Sequence, residues 1–177
     1  MLPEAIDARQ PARSLKEYHM ALERPALDPN GVTALNRSGY PEPYRSRVLP
    51  REKRPLGDAL GLTHIGVNRT TLAPGKESSM RHWHTHEDEF VYVLEGEVVL
   101  CTQAGEQRLT AGMCAGFPAG VADGHQLINR SDRPAVYLEI SNRDPQDTGH
   151  YSDREVDLVW SPPHARERFT RRDGTPY

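Results

Sequence analysis

The sequence has little cysteine, no long apolar run and no strong excess of either charge. Two cysteines among 177 residues cannot form a disulfide scaffold, so the cytoplasm is the default compartment. The longest aliphatic and aromatic run, Phe90–Leu94, is far shorter than the ~18 residues of a membrane span. No basic segment followed by an apolar one opens the chain, so we expect no secretory signal. A net charge of −3 excludes a generically basic nucleic-acid-binding protein.

Proline punctuates the first third of the chain. Residues 1–60 contain eight prolines, each of which removes a backbone donor and restricts the residue before it. This pattern predicts an N-terminal arm with one short helix, about Ala12–Leu22. The segment Arg45–Arg54, rich in proline and arginine, is expected to be a solvated arm.

The middle of the chain, residues 61–145, has the pattern of an all-β barrel or sandwich. Short runs rich in β-branched and aromatic residues alternate with glycine turns, and no helical period lies between them. The predicted strands are Leu62–Leu72, Met80–His86, Phe90–Leu94, Glu97–Thr102, Gln107–Thr110, Cys114–Phe117, His125–Asn129 and Ala135–Ser141. Residues 146–177 form a polar C-terminal extension, in which Asp153–Trp160 could add an edge strand and the residues from Arg166 form a tail.

The run Phe90–Leu94 is apolar at every position, so neither side of this strand should face water. One side would face the barrel interior. The other side would be covered by the N-terminal arm, by a second copy of the chain, or by both. We therefore expect a homodimer.

Histidine is concentrated in one place. His82 and His84 are two residues apart, so on a strand they project to the same face. After a turn, Glu89 begins the next strand on the face shared with Val91 and Val93. Imidazole and carboxylate ligands together suit Fe(II), Mn(II), Ni(II), Zn(II) or Cu(II). A fourth ligand is expected from elsewhere, and His125, which begins a later strand, is the candidate.

Two motifs resemble those of the cupin superfamily. In the first, four residues separate His82-x-His84 from Glu89, and six more lead to Gly96. In the second, five residues separate Gly112 from Pro118-x-Gly120, and three separate His125 from Asn129. Two spacings differ from the family pattern. Six residues instead of five separate Gly75 from His82, and four instead of two separate Gly120 from His125.

The resemblance implies a cupin-type antiparallel β-barrel, or jelly roll, like small single-domain bacterial cupins, some of them isomerase-like. It implies His82, His84, Glu89 and His125 as ligands of one divalent transition metal, and no other cofactor is expected. His86 also completes a His-x-His pair, but only two residues would then precede Glu89. We assign His86 to a supporting or solvent-facing role.

A three-histidine, one-carboxylate site leaves about two positions open on a six-coordinate metal. Such a site fits an isomerase or lyase acting through a Lewis acid, or a dioxygenase. The alternative is a module that binds a small ligand or a metal without turnover. No catalytic residue is assigned, although His64, His86, Tyr92 and Glu139 could handle protons.

The interior is expected to be small and mostly apolar. The residues predicted to face inward are Val91, Val93, Val99, Leu127, Val136, Leu138 and Ile140, and no inward lysine or arginine cluster is visible. A compact, apolar or carboxylate substrate is therefore favoured over a sugar phosphate. Cys101 and Cys114 are expected to be small buried hydrophobes, and Tyr92 and Tyr137 to fill core or interface.

Overall fold

The computed structural model describes residues 23–161 and 168–177, whose regular structure is mainly antiparallel β-strand. A 3-10 turn (Pro29–Gly31) and two short helices, α1 (Tyr44–Val48) and α2 (Leu56–Leu60), accompany the strands. The strands are β1 (Arg51–Pro55), β2 (Ile65–Leu72), β3 (His82–His84), β4 (Glu89–Glu95), β5 (Glu97–Thr102), β6 (Gly105–Thr110), β7 (Cys114–Phe117), β8 (Gln126–Ile128), β9 (Ala135–Asn142), β10 (Gly149–Tyr151), β11 (Val159–Ser161) and β12 (Arg168–Thr170). Among the described residues, no helix has the length and apolar character needed to cross a membrane.

Two sheets enclose the main core. The larger has the order β1-β2-β9-β4-β7 and the smaller β6-β5-β8, and every ladder is antiparallel. Their facing side chains form one buried cluster of Leu72, Val91, Val93, Val98, Leu100, Leu109, Leu127, Ala135 and Tyr137. The prediction of an all-β jelly roll is therefore confirmed, and each of the eight strands predicted in the middle region is present, β5 and β7 with the predicted ends and the other six with somewhat different ends.

The turn between β4 and β5 depends on Gly96. Its φ of +72° lies in the left-handed region, and a Cβ atom there would come within 2.9 Å of the Pro134 carbonyl oxygen. Any other residue would combine backbone strain with this clash. Glycine therefore allows β4 to reverse tightly into β5 and places the two sheets face to face.

The proline-rich segment folds more than its sequence indicates. The expectation that Arg45–Arg54 is a solvated arm is wrong, because α1 and β1 lie there and β1 pairs with β2 along its whole length. The sequence of β1, Arg-Glu-Lys-Arg-Pro, has no apolar side chain that would reveal a strand. The strand is held by its backbone hydrogen bonds to β2, and not by an alternating apolar pattern of its side chains. The predicted helix at 12–22 lies outside the described residues.

The C-terminal extension packs against the N-terminal segment. Tyr44, Val48 and Met80 form a second buried cluster with Val156 and Leu158. The predicted edge strand 153–160 is too long, since only 159–161 is extended there, and it pairs with β12. The described part of the tail is therefore folded back, while the division of the chain into arm, barrel and extension stays a prediction.

Candidate metal centre

Three neighbouring backbone segments position the four predicted ligands. His82 and His84 lie on β3, and Glu89 begins β4. His125 immediately precedes β8, and it pairs with His82 through two backbone hydrogen bonds, N–O distances 2.8 and 3.2 Å. This bridge brings residues 43 positions apart into one row.

The loop before His125 is two residues longer than the family pattern, and its last residue packs closely on the segment after β10. Gly124 is buried against Ser152, and a Cβ atom at Gly124 would overlap the Ser152 side chain. The Gly124 backbone can approach Ser152, the residue after β10, because glycine has no side chain. The extra length therefore leaves His125 beside His82.

The structure brings the four side chains together around one carboxylate oxygen. Glu89 Oε2 lies 2.8 Å from the Nε2 atom of His125, 3.6 Å from that of His84 and 3.9 Å from that of His82. The ligand atoms of His82, His84 and Glu89 all lie within 4.8 Å of one another. Three nitrogen atoms and one oxygen thus converge, as the two motifs imply.

The electrostatics of the cluster fit a divalent cation. Burial lowers the pKa of His82 to about 4, and the neighbouring imidazoles add to this effect while Glu89 opposes it. Burial alone would raise the pKa of Glu89, but the contact with His125 and the charges of the imidazoles lower it to about 2. At neutral pH the cluster therefore offers a neutral imidazole lone pair and a charged carboxylate. Among the described residues, buried Glu89 Oε2 has no partner with hydrogen-bond geometry.

Hydrogen bonds from outside the cluster fix two of the imidazole rings. His84 Nδ1 lies 2.6 Å from Asp147 Oδ2, and His82 Nδ1 lies 2.9 Å from the Met80 carbonyl oxygen. Both oxygens accept, so each Nδ1 carries the proton and each Nε2 keeps its lone pair toward Glu89. His125 is held differently, by stacking on Phe117 with ring centroids 3.5 Å apart.

Asp147 is a site residue that sequence reasoning missed. It is fully buried, and its Oδ1 accepts hydrogen bonds from the backbone N–H groups of His86 and Glu87 at 2.8 and 3.1 Å. Burial raises its pKa, but these amides and His84 outweigh that effect and lower it. No local signal marks this aspartate, because it lies 63 residues after His84 in a polar loop. His84, Glu87 and Asp147 also cluster closely enough to hold a cation. The Asp147 carboxylate, however, already accepts hydrogen bonds from His84 and from two backbone N–H groups.

Several other predicted residues lie away from the cluster. His64 and His86 are exposed, and Tyr92 lies on the outer face of β4 with 38 % of its surface exposed. The expectation that Cys114 is buried is wrong, since it is exposed, and Cys101 is half-buried.

The cluster opens into a cavity of about 710 Å³ that differs from the expected small apolar interior. Tyr137 and Glu139 line it, rather than Val136 and Leu138, because the inward face of β9 is the one shared with Ala135 and Ser141. Val91, Leu127 and Ile140 line it as predicted, whereas Val99 does not, and Val93 lies in the main buried core instead. The same cavity is also lined by the cationic residues Arg37, Arg51 and Lys53. We call these three residues the basic end and His82, His84, Glu89 and His125 the histidine end.

The fold is an antiparallel jelly roll, and histidine and glutamate side chains cluster in its cavity. These two features place the chain among small β-barrel proteins with a candidate metal site. The chain belongs to the cupin superfamily. The family described as "Cupin domain" matches residues 68–141, which include both motifs.

A solved relative described as a cupin supports this membership, and two further proteins are similar to the chain. The structure of a sugar phosphate isomerase of the cupin superfamily from Silicibacter pomeroyi has a TM-score of 0.80 and 42 % identity, over 86 % of this chain and 96 % of that one. The structure of a putative sugar phosphate isomerase from Acidithiobacillus ferrooxidans has a TM-score of 0.62 and 30 % identity, over 72 % and 80 %. The tetracenomycin polyketide synthase protein TcmJ of Streptomyces glaucescens is 31 % identical over 100 residues, 55 % of this chain and 65 % of that protein's length.

Proposed function

We propose that the protein is a metal-dependent enzyme that acts on a small molecule, with His82, His84, Glu89 and His125 as the metal ligands. The convergence of three imidazole nitrogens on Glu89 Oε2, in the wall of a cavity, carries this proposal. The donor set suits Fe(II), Mn(II), Ni(II), Zn(II) or Cu(II). Bound there, the ion would supply Lewis-acid chemistry to a substrate carbonyl or hydroxyl oxygen through open coordination positions.

The descriptions of two similar solved proteins favour isomerase or lyase chemistry over dioxygenase chemistry. Two solved relatives, at 42 % and 30 % identity, are described as sugar phosphate isomerases. Such a reaction moves a proton between carbon or oxygen atoms, so it needs a side chain that accepts and returns that proton.

Glu139 is the residue we propose for this proton transfer. It lies on the inward face of β9, diagonal to Glu89, because Ser141 is the residue directly opposite Glu89. Diagonal neighbours on a sheet are about 7–8 Å apart, which leaves room for a substrate between the two carboxylates. An ion pair with Lys53 holds the Glu139 carboxylate in the cavity. Glu139 can therefore reach a substrate bound at the histidine end.

Elemental analysis of protein purified from its own host tests the metal, and a substrate screen tests the chemistry. Protein carrying that metal is incubated in D₂O with hydroxycarbonyl compounds, including sugar phosphates, and hydrogen loss is followed by NMR beside oxygen uptake. We expect deuterium incorporation that His84→Ala abolishes and Glu139→Gln slows by about 100-fold. Metal content should survive in Glu139→Gln, which is the matched control.

Other results would change the assignment. Oxygen consumption coupled to substrate loss would indicate a dioxygenase. Tight ligand binding without turnover would indicate the non-catalytic module. Protein purified without stoichiometric metal, and unable to take it up, would contradict the whole proposal.

We also propose that the protein is a homodimer. Phe90, Tyr92 and Leu94 form an apolar row on the outer face of β4, with 39, 38 and 37 % of their surfaces exposed in the single chain. A second copy would remove this row from water. Light scattering at micromolar concentration should give twice the chain mass, and Tyr92→Asp should give a monomer. A monomeric parent protein would contradict the proposal.

A further inference from the structure

The basic end is built by a segment that neither cupin motif includes. Leu35 pairs with Lys53 through two backbone hydrogen bonds. The N–O distance is 2.8 Å from Leu35 N to the Lys53 oxygen and 2.9 Å from Lys53 N to the Leu35 oxygen. The bridge is antiparallel, and the Arg51 backbone N–H also donates to Asn36 Oδ1, so the chain next to Arg37 runs close to Arg51. Arg51 and Lys53 are two residues apart on β1 and share its inward face. Cationic side chains are thereby gathered along one edge of the cavity.

Arg51 is a half-buried cation without an anionic partner. Its guanidinium donates to the Ser78 carbonyl oxygen, which is neutral, and its buried Nε has no hydrogen-bond partner in the part of the chain that the structure describes. In the described ranges, 23–161 and 168–177, no carboxylate lies within ion-pair distance of Arg51. Because a partly buried charge is costly without a counter-charge, an anion in the cavity would stabilise this arrangement. Lys53 differs, since Glu139 already pairs with it.

Tyr137 adds an unused donor beside Arg51. The residue is fully buried, belongs to the main core and is among the residues that line the cavity, and its buried hydroxyl has no hydrogen-bond partner among the described residues. Burial raises the pKa of the phenol, the charges of Glu139 and Glu89 add to this effect, and Arg51 opposes it. The hydroxyl therefore stays protonated and can donate to an anion. An unsatisfied buried hydroxyl costs roughly 1–3 kcal/mol, so a core role alone does not explain its polar end.

We propose that Arg51 and Tyr137 form a binding site for the anionic group of the substrate, a carboxylate or a phosphate, with Arg37 at its mouth. The proposal rests on the proposed function, because it assigns the opposite end of the same substrate to the histidine end. Ser78, which Arg51 contacts, is followed by Ser79, whose Oγ lies 3.2 Å from His82 Nδ1. The two ends are thus linked by one short segment, which favours a compact substrate.

Titration calorimetry with inorganic phosphate and, separately, acetate tests the site in a buffer without other oxyanions. The metal-free protein is the main sample, because a bound ion would itself attract anions. We expect phosphate or acetate to bind, and Arg51→Gln to weaken binding by about 10-fold or more, as loss of a charge-assisted hydrogen bond does. Tyr137→Phe should weaken it by roughly 5-fold. Arg133→Gln is the matched control, since the Arg133 side chain is 87 % exposed and lies outside the cavity.

The outcomes separate this proposal from the proposed function. Equal binding by Arg51→Gln and the parent protein, or binding of neither anion at tens of millimolar, would overturn the anion site. Preference for phosphate over acetate, or the reverse, identifies the anionic group. Metal content is measured separately, on protein as purified from its own host and after reloading, so a parent protein that binds the anion through Arg51 but neither holds nor takes up metal would refute only the metal-dependent enzyme. Arg51→Lys retains the charge, and Tyr137→Phe retains the ring, if Arg51→Gln fails to fold.

Discussion

The two ends of the cavity are held in different ways. At the histidine end, Glu89 Oε2 lies within 3.9 Å of three imidazole nitrogens, and Asp147 and the Met80 carbonyl fix two of the rings. At the basic end, Arg51 contacts a neutral carbonyl oxygen, and the Tyr137 hydroxyl has no hydrogen-bond partner among the described residues. One end is preorganised by its own hydrogen bonds, whereas the other keeps unused donors that suit a ligand.

This difference suggests a division of labour. Metal binding needs rings that are fixed before the ion arrives, because their reorganisation would cost affinity. Substrate binding needs donors that remain free until the substrate supplies acceptors. Substitutions at the histidine end should therefore change metal content, and substitutions at the basic end should leave it unchanged.

Replacing one ligand should have the largest effect. His84→Ala removes a nitrogen that lies 3.6 Å from Glu89 Oε2, and we expect complete loss of stoichiometric metal by elemental analysis. His86→Ala is the control, because this exposed histidine is only two residues away and should leave most of the metal in place. Metal loss in His86→Ala with metal retained in His84→Ala would show that His86, and not His84, is a ligand.

Acid should weaken the metal-free fold through the histidine end. The pKa of His82 is lowered from its ordinary value of 6.5 to about 4 in the folded protein. Between pH 4 and pH 6.5, the imidazole is therefore protonated in the unfolded chain and neutral in the folded one. Stability is therefore lost as the pH falls from 6.5 to 4, by roughly 3 kcal/mol from this group. Urea unfolding across this range should show the loss, and His82→Gln should flatten it. An equal slope in His82→Gln would exclude His82 as the cause.

Asp147 should affect the metal without touching it. Asp147→Asn removes the charge that orients His84 Nδ1–H, and we expect metal affinity to fall by about 10–100-fold. Competition with a chelator measures this change. Asp144→Asn is the matched control in the same loop, because its carboxylate accepts only the Gln146 backbone N–H in the observed hydrogen bonds. Equal affinities in the two variants would contradict a positioning role for Asp147.

The smallest expected effect concerns the basic end. Lys53→Met removes the cation that pairs with Glu139, and the free energy of unfolding should fall by about 1 kcal/mol, because the pair is partly exposed. Metal content should not change. Lys76→Met is the control, since Lys76 donates to the Ser46 carbonyl and not to a carboxylate. Metal loss in Lys53→Met would show that the two ends are not independent.

Local patterns predicted the barrel and the histidine end together. Alternating apolar residues and glycine turns mark the strands in residues 61–145, since side chains on a strand alternate between two faces. The same alternation aligned His82 with His84 and Glu89 with Val91. It did not locate β1, whose five residues contain no apolar side chain except that of Pro55.

The amino-acid order by itself determined the all-β class, the cupin motifs and the four side chains of the histidine end, because strand geometry converts short spacing into shared direction. Only the tertiary structure showed that Asp147 supports His84, that β9 turns Tyr137 and Glu139 inward, and that Arg51 joins their cavity. These contacts join residues 60 or more positions apart, or depend on which face of a strand is buried, and no local periodicity encodes either.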